Sequence, residues 1–365
     1  MIGKAFKVSI FGESHGTCVG TLIEGCPPGL RVDENLLRTE LRRRKPGSSL
    51  TSPRREEDEP VVMAGVFRGR STGAPILIII YNRDRDSSFY EAIKDTPRPG
   101  HADYVARVKY WGMNDYRGGG IFSGRLTAAL VAAGAVAKEL LRKHGIRVYS
   151  YVVRIGDVEA SVEPRDSPEF REAIDASPVK CPDIKASKRM EDLVRRVAEE
   201  GDSVGGVVET VAFNVPVGLG APPADTLDGD IAKAVFVVPG VKGVEFGAGF
   251  RIAGMRGSEA NDPLVLRGGA VVTETNNSGG VNGGISNGAP VVFRVAFRPT
   301  PTVRKPQRTV NLATREPAVI KGWGRHDPCI AIRAAPAVEA VTAVVLADHL
   351  LRWYSWEGMR SKILG

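Results

Sequence analysis

The sequence is poor in cysteine, in aromatic residues and in long apolar runs. Only Cys18, Cys26, Cys181 and Cys329 occur in 365 residues, with no C-x-x-C pair and no His/Cys cluster at zinc spacing. A disulfide framework or a structural zinc is therefore not what organises the chain, and reduced thiols are expected. The most apolar stretch, Pro75-Ile76-Leu77-Ile78-Ile79-Ile80-Tyr81, is far too short to cross a bilayer, so no membrane partner is expected. The first residues, MIGKAFKVSIFGESHG, show neither a long apolar segment nor a small-residue cleavage site, so the expected compartment is the cytoplasm. No G-x-x-x-x-G-K-[ST] occurs, and no G-x-G-x-x-G follows a strand, which removes the common nucleotide loops. Gly284-Ile285-Ser286-Asn287-Gly288 has the G-x-S-x-G spacing of a hydrolase elbow. That elbow needs a strand before it and a helix after it, whereas here a glycine-rich loop precedes and a strand follows.

What the chain does have is positive charge, with a formal net charge of +8. Two uses are open: a nucleic-acid surface, or a cleft that focuses charge on small polyanions. Aromatic residues make up 7% of the chain, and many arginines sit among glycines rather than in a stripe with stacking rings. The cleft is the better reading, with nucleic-acid binding the alternative.

Strands are expected at 5–11, 19–25, 61–67, 74–81, 146–155, 207–215 and 291–297 from their β-branched, alternating composition. Helices are expected from Asp33 to Arg44, Ser123 to His144, Ser187 to Glu200 and Asp228 to Val237, and a last one opened by Pro336 and running through Trp353. Residues 82–122 read as a long irregular region, and such regions are usually functional. Strands and helices do not alternate, no linker divides the chain, and no repeat is visible. The expectation is a mixed α+β architecture in one domain, 1–365.

Four loops carry chemistry. In Gly12-Glu13-Ser14-His15-Gly16 a histidine lies between glycines, where backbone can approach a ligand and an imidazole can exchange a proton near neutral pH; taken alone, a surface turn explains it as well. Arg98-Pro99-Gly100-His101-Ala102-Asp103-Tyr104 repeats the theme, again with a solvated turn as the alternative. Arg117-Gly118-Gly119-Gly120 runs into the helix near Ser123, with Arg125 in its first turn. Three glycines in a row are entropically costly, and a glycine approach to a helix N-terminus suits an anion. Arg325-His326-Asp327-Pro328-Cys329 gathers a cation, an imidazole and a carboxylate, equally readable as a local ion pair. A further glycine-rich loop, from Asn276 to Gly284, suits close packing on a flat polar ring or, alternatively, a flexible surface loop. His144, at a helix end, and His349, within the last helix, read as structural.

Taken together and in this order, GESHG, RPGHADY, DYRGGG, GVKGVEFG at 240–247, Asn261-Asp262, GGVNGGISNG and RHDPC resemble the chorismate synthase family, from the first strand to the last helix. The resemblance implies a single α+β domain with helices sandwiched between antiparallel β-sheets, assembled as a homotetramer. It implies the 1,4-anti elimination of phosphate from 5-enolpyruvylshikimate 3-phosphate, a carbon–oxygen lyase step. That step is the last common one of the shikimate pathway to the aromatic amino acids, and it needs reduced FMN without net redox change. NADPH is implied only if the protein reduces its own flavin, and Arg44 matches a position the family uses toward it.

By the same resemblance His15 is the acid for the departing phosphate, His101 acts on the reduced flavin, and Asp327 relays the proton taken from the substrate ring. Arg44, Lys45, Arg54, Arg98, Arg125 and Arg325 match substrate-binding positions. Ser123, Arg125, Pro239, Gly240, Asn276, Gly283, Arg298, Thr300, Thr302 and Arg325 match positions that hold FMN. The sequence departs from the family pattern at Lys45, which stands for a third arginine, at Ile121-Phe122, which replace a polar pair, at Pro53, and in a slightly shorter basic loop near Leu50. A lysine offers a point charge, not a guanidinium fork.

Overall fold

A computed structural model describes residues 1–45, 50, 57–322 and 326–364, apart from the Ser361 side chain. In chain order its principal elements are β1 (Lys7–Gly12), β2 (Cys18–Glu24), α1 (Glu34–Arg44), β3 (Pro60–Ala64), β4 (Ile76–Tyr81), α2 (Ser88–Ile93), α3 (Asp103–Lys109), α4 (Thr127–Lys143), β5 (Arg147–Ile155) and β6 (Val158–Glu159). They continue with α5 (Pro168–Ala176), α6 (Ile184–Glu199), β7 (Gly206–Phe213), α7 (Leu227–Val235), β8 (Val241–Phe246), β9 (Val291–Phe297) and α8 (Ile330–Leu364).

The two larger sheets, both antiparallel, have the orders β1-β2-β4-β3 and β8-β9-β7-β5-β6. In β4 the alternation is visible in the sequence: Ile76, Ile78 and Ile80 are fully buried on one face. Pro60 lies in β3, an edge strand of the first sheet, where a missing N–H costs no ladder bond. α4 packs on β1, β2 and β4, α8 packs on β5 and β7, and the two helices pack on each other. The layers are therefore sheet, helix, helix, sheet, which is the α+β sandwich the sequence leads one to expect.

The helix pair is the centre of the core. α4 is buried from Thr127 through Ala137 because its surface is Ala, Val and Leu on all sides, the composition of a helix with no solvent face. It approaches α8 so closely at Gly134 that a Cβ there would collide with Ala340. α8 corrects two expectations. It starts at Ile330, so Pro336 lies inside it, not at its first position, and it runs on to Leu364. It is also long and apolar enough to cross a membrane, yet 89% of its most apolar window is buried inside the protein, as in a core helix. The region 82–122 is less irregular than expected, since α2 and α3 lie within it, and α5, with Ser167 capping the Phe170 N–H and Pro168 at its start, had not been anticipated.

Candidate active site

A cavity of about 470 Å³ opens where the loops around the triple glycine, the end of α1, the turn before β8 and the start of α8 converge. Its volume is that of a small-molecule site. Among the described residues, six cationic side chains line it: Arg44, Arg98, Arg125, Lys242, Arg298 and Arg333. Ile121, Phe122, Phe236, Val237, Val238 and Ile330 provide an apolar wall.

The triple glycine is the hinge of the arrangement. Gly118, Gly119 and Gly120 have φ of 61°, 83° and 54°, left-handed values that side chains rarely adopt. A Cβ on Gly118 would strike the His15 ring and Ser14 Oγ, and one on Gly119 would come within 3.1 Å of His101 Cε1. The glycines thus let two histidines, distant in sequence, close on the same turn. His15 is buried, its Nδ1 lies 2.8 Å from Ser87 Oγ, and its ring meets Tyr90 edge-on at 5.3 Å. It does not itself line the cavity; Gly118 stands between.

Ser123 caps the single 3-10 turn Gly124–Leu126 that leads into α4, accepting the Arg125 N–H at 3.3 Å. Arg125 therefore sits at the N-terminal end of the core helix, as expected. Its Nε donates to Asn82 Oδ1 at 2.8 Å, and its Nη1 is bonded to Asp58. Arg44, the last residue of α1, reaches the same carboxylate, with Nη2 2.6 Å from Asp58 Oδ2 and Nη1 3.1 Å from Thr127 Oγ1. Burial pushes the Asp58 carboxyl up, but Arg44 and Arg125 outweigh it and bring it down to about 2.

On the opposite side Arg98 donates to Asp103 through Nε and Nη2, both at 2.7 Å, and to Thr302 Oγ1 at 3.2 Å. Arg298 donates to the Gly100 carbonyl at 2.5 Å. At the start of α8, Asp327 accepts from Arg333 Nη1 at 2.8 Å, and Arg333 Nε reaches the Arg44 carbonyl at 3.2 Å. Burial, with Arg44 close by, pushes the Arg333 guanidinium down from its usual range. Thr300 donates to the Asp327 backbone carbonyl at 2.5 Å.

The cavity thus brings together His101, Asp327, Arg44, Arg98, Arg125, Ser123, Pro239, Gly240, Arg298, Thr300 and Thr302. It does not bring Lys45, Asn276 or Gly283. Lys45 is exposed, and its N–H closes the end of α1 on the Leu41 carbonyl. Asn276 donates to the Pro290 carbonyl at 2.8 Å. The glycines around it serve close packing, for a Cβ on Gly279 would press on the Val292 carbonyl and one on Gly284 on Thr226. Arg54, Arg325 and Pro53 lie outside the described residues. Sequence reasoning missed Asp58, Asn82, Asp103 and Arg333. For Arg333 a signal existed, since it is the one charge in the apolar run Ile330–Val338.

A family model described as chorismate synthase matches residues 6–351. The chain belongs to the chorismate synthase family. A chorismate synthase of Aeropyrum pernix is 60% identical over 350 residues, covering 96% of this chain and 92% of that protein. One of Thermococcus kodakarensis is 54% identical over 359 residues, covering 98% and 99%. A crystal structure of chorismate synthase superposes with a TM-score of 0.75 at 31% identity, covering 96% of this chain and 93% of that one. The α+β fold and the enzyme class read from the sequence, a lyase that makes chorismate, are those of this family.

Proposed function

We propose that this cavity eliminates phosphate from 5-enolpyruvylshikimate 3-phosphate to give chorismate, with reduced FMN bound beside the substrate. The observation that carries the reading is the surplus of cations lining the cavity, three of them buried, beside a turn flanked by two histidines. The donor set fits both ligands. Arg44 Nε, on the cavity wall, is buried and without a hydrogen-bond partner among the described residues, so a donor stands ready for an anion. The apolar wall suits a flat ring, and Ile121-Phe122 contribute to it by packing, not by hydrogen bonds.

Reduced FMN, when bound, supplies the electron density that eases departure of the phosphate and recovers it afterwards. The chain's own residues do the rest. Arg44 and Arg125, held in place by Asp58, face the phosphate and carboxylate charges, with Arg44 Nε free to donate. His15, packed directly behind Gly118, is the acid for the leaving phosphate, a task arginine cannot perform because it does not deprotonate. Asp327, fixed by Arg333, takes the ring proton. Pro239, Gly240, Thr300 and Thr302 shape the flavin side.

The same reading treats the chain as one domain, places it in the cytoplasm and assembles it as a homotetramer. Support comes from four free cysteines and from the exposed Phe250, Leu264 and Leu266, apolar area that assembly would bury. The test is an anaerobic assay of the purified protein with the substrate and chemically reduced FMN, with flavin absorbance followed during titration. Chorismate formation, and tighter flavin binding with substrate present, are expected; no flavin perturbation with substrate present would defeat the reading. His15→Ala should fold, form the complex and lose about 100- to 10,000-fold in rate. Retention of most of its turnover would move the acid role elsewhere.

A further inference from the structure

Asp103 is the first residue of α3 and belongs to no role assigned so far. Its carboxylate is saturated by two neighbours. Oδ2 accepts from the Arg98 backbone N–H at 3.0 Å and from Arg98 Nε at 2.7 Å. Oδ1 accepts from Arg98 Nη2 at 2.7 Å and lies 2.6 Å from His101 Nδ1. A carboxylate can only accept, so at this distance Nδ1 carries the hydrogen. Arg98 Nη2 also lies 3.0 Å from Nδ1 and 3.4 Å from Nε2, but it cannot donate to a nitrogen whose hydrogen points at Asp103.

We propose that Asp103 is the positioning residue of His101: it fixes the Nδ1–H tautomer, leaves Nε2 as the only ring nitrogen that exchanges a proton with the cavity, and ties that ring to the Arg98 fork. The link to turnover rests on the function proposed above; the tautomer itself does not.

Among the described residues, the charges facing His101 are Asp103 from α3, Arg98 from the loop before it, and Arg298 from the segment after β9. Burial holds the imidazole below its usual range; the Asp103 hydrogen bond pulls it up, and Arg98 and Arg298 push it down. Burial raises the Asp103 carboxyl, but the hydrogen bonds from Arg98 and His101 hold it well below the usual range, so it stays an anion throughout the working pH. A neutral imidazole with its hydrogen on Nδ1 is thus the resting state, its hydrogen-free Nε2 lying 3.4 Å from Arg98 Nη2.

The experiment is a nitrogen-edited NMR titration of the imidazoles in the free protein, with His15 as internal reference. The wild type should show His101 protonated at Nδ1 in its neutral form; an Nε2–H form overturns the proposal without any variant. In Asp103→Asn the His101 midpoint should fall by about one pH unit or more, because one attractive charge is lost while two repulsive ones remain. Asp103→Glu, which keeps the charge, should restore it, and His15 should not move in either. An unchanged midpoint and tautomer in Asp103→Asn would reduce Asp103 to a structural residue. In turnover, Asp103→Asn should lower kcat more than it raises KM for the substrate. Failure of that kinetic split with the NMR shift intact would count against the role of His101 in the reaction, not against the tautomer.

Discussion

Two ionic networks lie side by side in this protein, one in the core and one lining the cavity, and consecutive residues feed them. On α1, Arg43 and Arg44 point about 100° apart, as neighbours on a helix must. Arg43 joins a cluster around Glu339 of α8, which is fully buried and also accepts from Lys138 of α4 at 2.8 Å, Arg171 of α5 at 2.9 Å and the Ser150 N–H of β5 at 3.0 Å. Glu40 and Asp175 complete it, so among the described residues Arg43, Lys138, Arg171 and Lys180 face Glu339, Glu40 and Asp175. Arg44 joins the cavity network, where Arg44, Arg98, Arg125, Lys242, Arg298 and Arg333 face only Asp58, Asp103 and Asp327 among the described residues. The first network is nearly balanced and ties five elements together. The second is short of anions by about the charge a phosphate and carboxylates would bring. Surplus, not burial or arginine content, distinguishes the site from the scaffold.

The largest effect that would break this comparison comes from Glu339→Ala. It leaves three cations buried around a hole, and breaking a buried pair costs about 3–5 kcal/mol. Denaturant midpoints should record that loss while the protein that stays folded keeps its flavin and substrate affinity. A loss of affinity equal to that of a cavity variant would mean the two networks are one.

Arg125→Ala against Arg142→Ala sharpens the contrast at a smaller scale. Arg125 is buried at the N-terminal end of α4, whereas Arg142 is an exposed partner of Glu139 near the other end. Losing a hydrogen-bonded charge from the cavity should weaken substrate or flavin binding by about 10- to 100-fold. An exposed ion pair contributes little, so Arg142→Ala should bind normally. Equal losses in two folded variants, read by titration calorimetry, would remove the anion site from the start of α4.

The cations of the site were legible in the sequence; its anions were not. His15, His101 and Arg125 stand next to glycines and Arg98 two residues before one, and the positive φ of Gly100 and Gly118–Gly120 marks a place where something approaches closely. Asp58 and Asp103 stand among other charged or polar residues and look like ordinary surface carboxylates until the fold turns them inward. The helix pair was legible because its residues are apolar on every face. The start of α8 was not, because Pro336 invites a boundary that the apolar run beginning at Ile330 overrides. The Asn276–Gly284 loop shows the limit of composition, since glycines that pack against backbone and glycines that admit a ligand have the same sequence.

The smallest effect concerns acid, where the two networks should behave alike. Asp58 is depressed to about 2 by Arg44 and Arg125 against the effect of burial. Burial raises Glu339, but Arg171, Arg43 and Lys138 carry it well below the usual carboxylate range. A carboxylate with a lowered folded-state pKa stabilises the fold fully above its unfolded value, about 3.9 for aspartate, and loses that contribution as pH falls through the folded value. For Asp58 the window is from about pH 4 down to about pH 2, and the amount at stake is on the order of 2 kcal/mol. Asp58→Asn should therefore be less stable than the wild type at neutral pH, and the two stability curves should converge as pH falls through that window. A residual slope should persist in the variant, because Glu339 still titrates. Glu339→Gln should show the converse, converging with the wild type in acid while Asp58 supplies the slope. Urea midpoints measured every half pH unit would decide it: a curve for Asp58→Asn that stays parallel to the wild type down to pH 2 would mean that Asp58 is not held as an anion between Arg44 and Arg125, and the charge surplus that defines the site would have to be counted again.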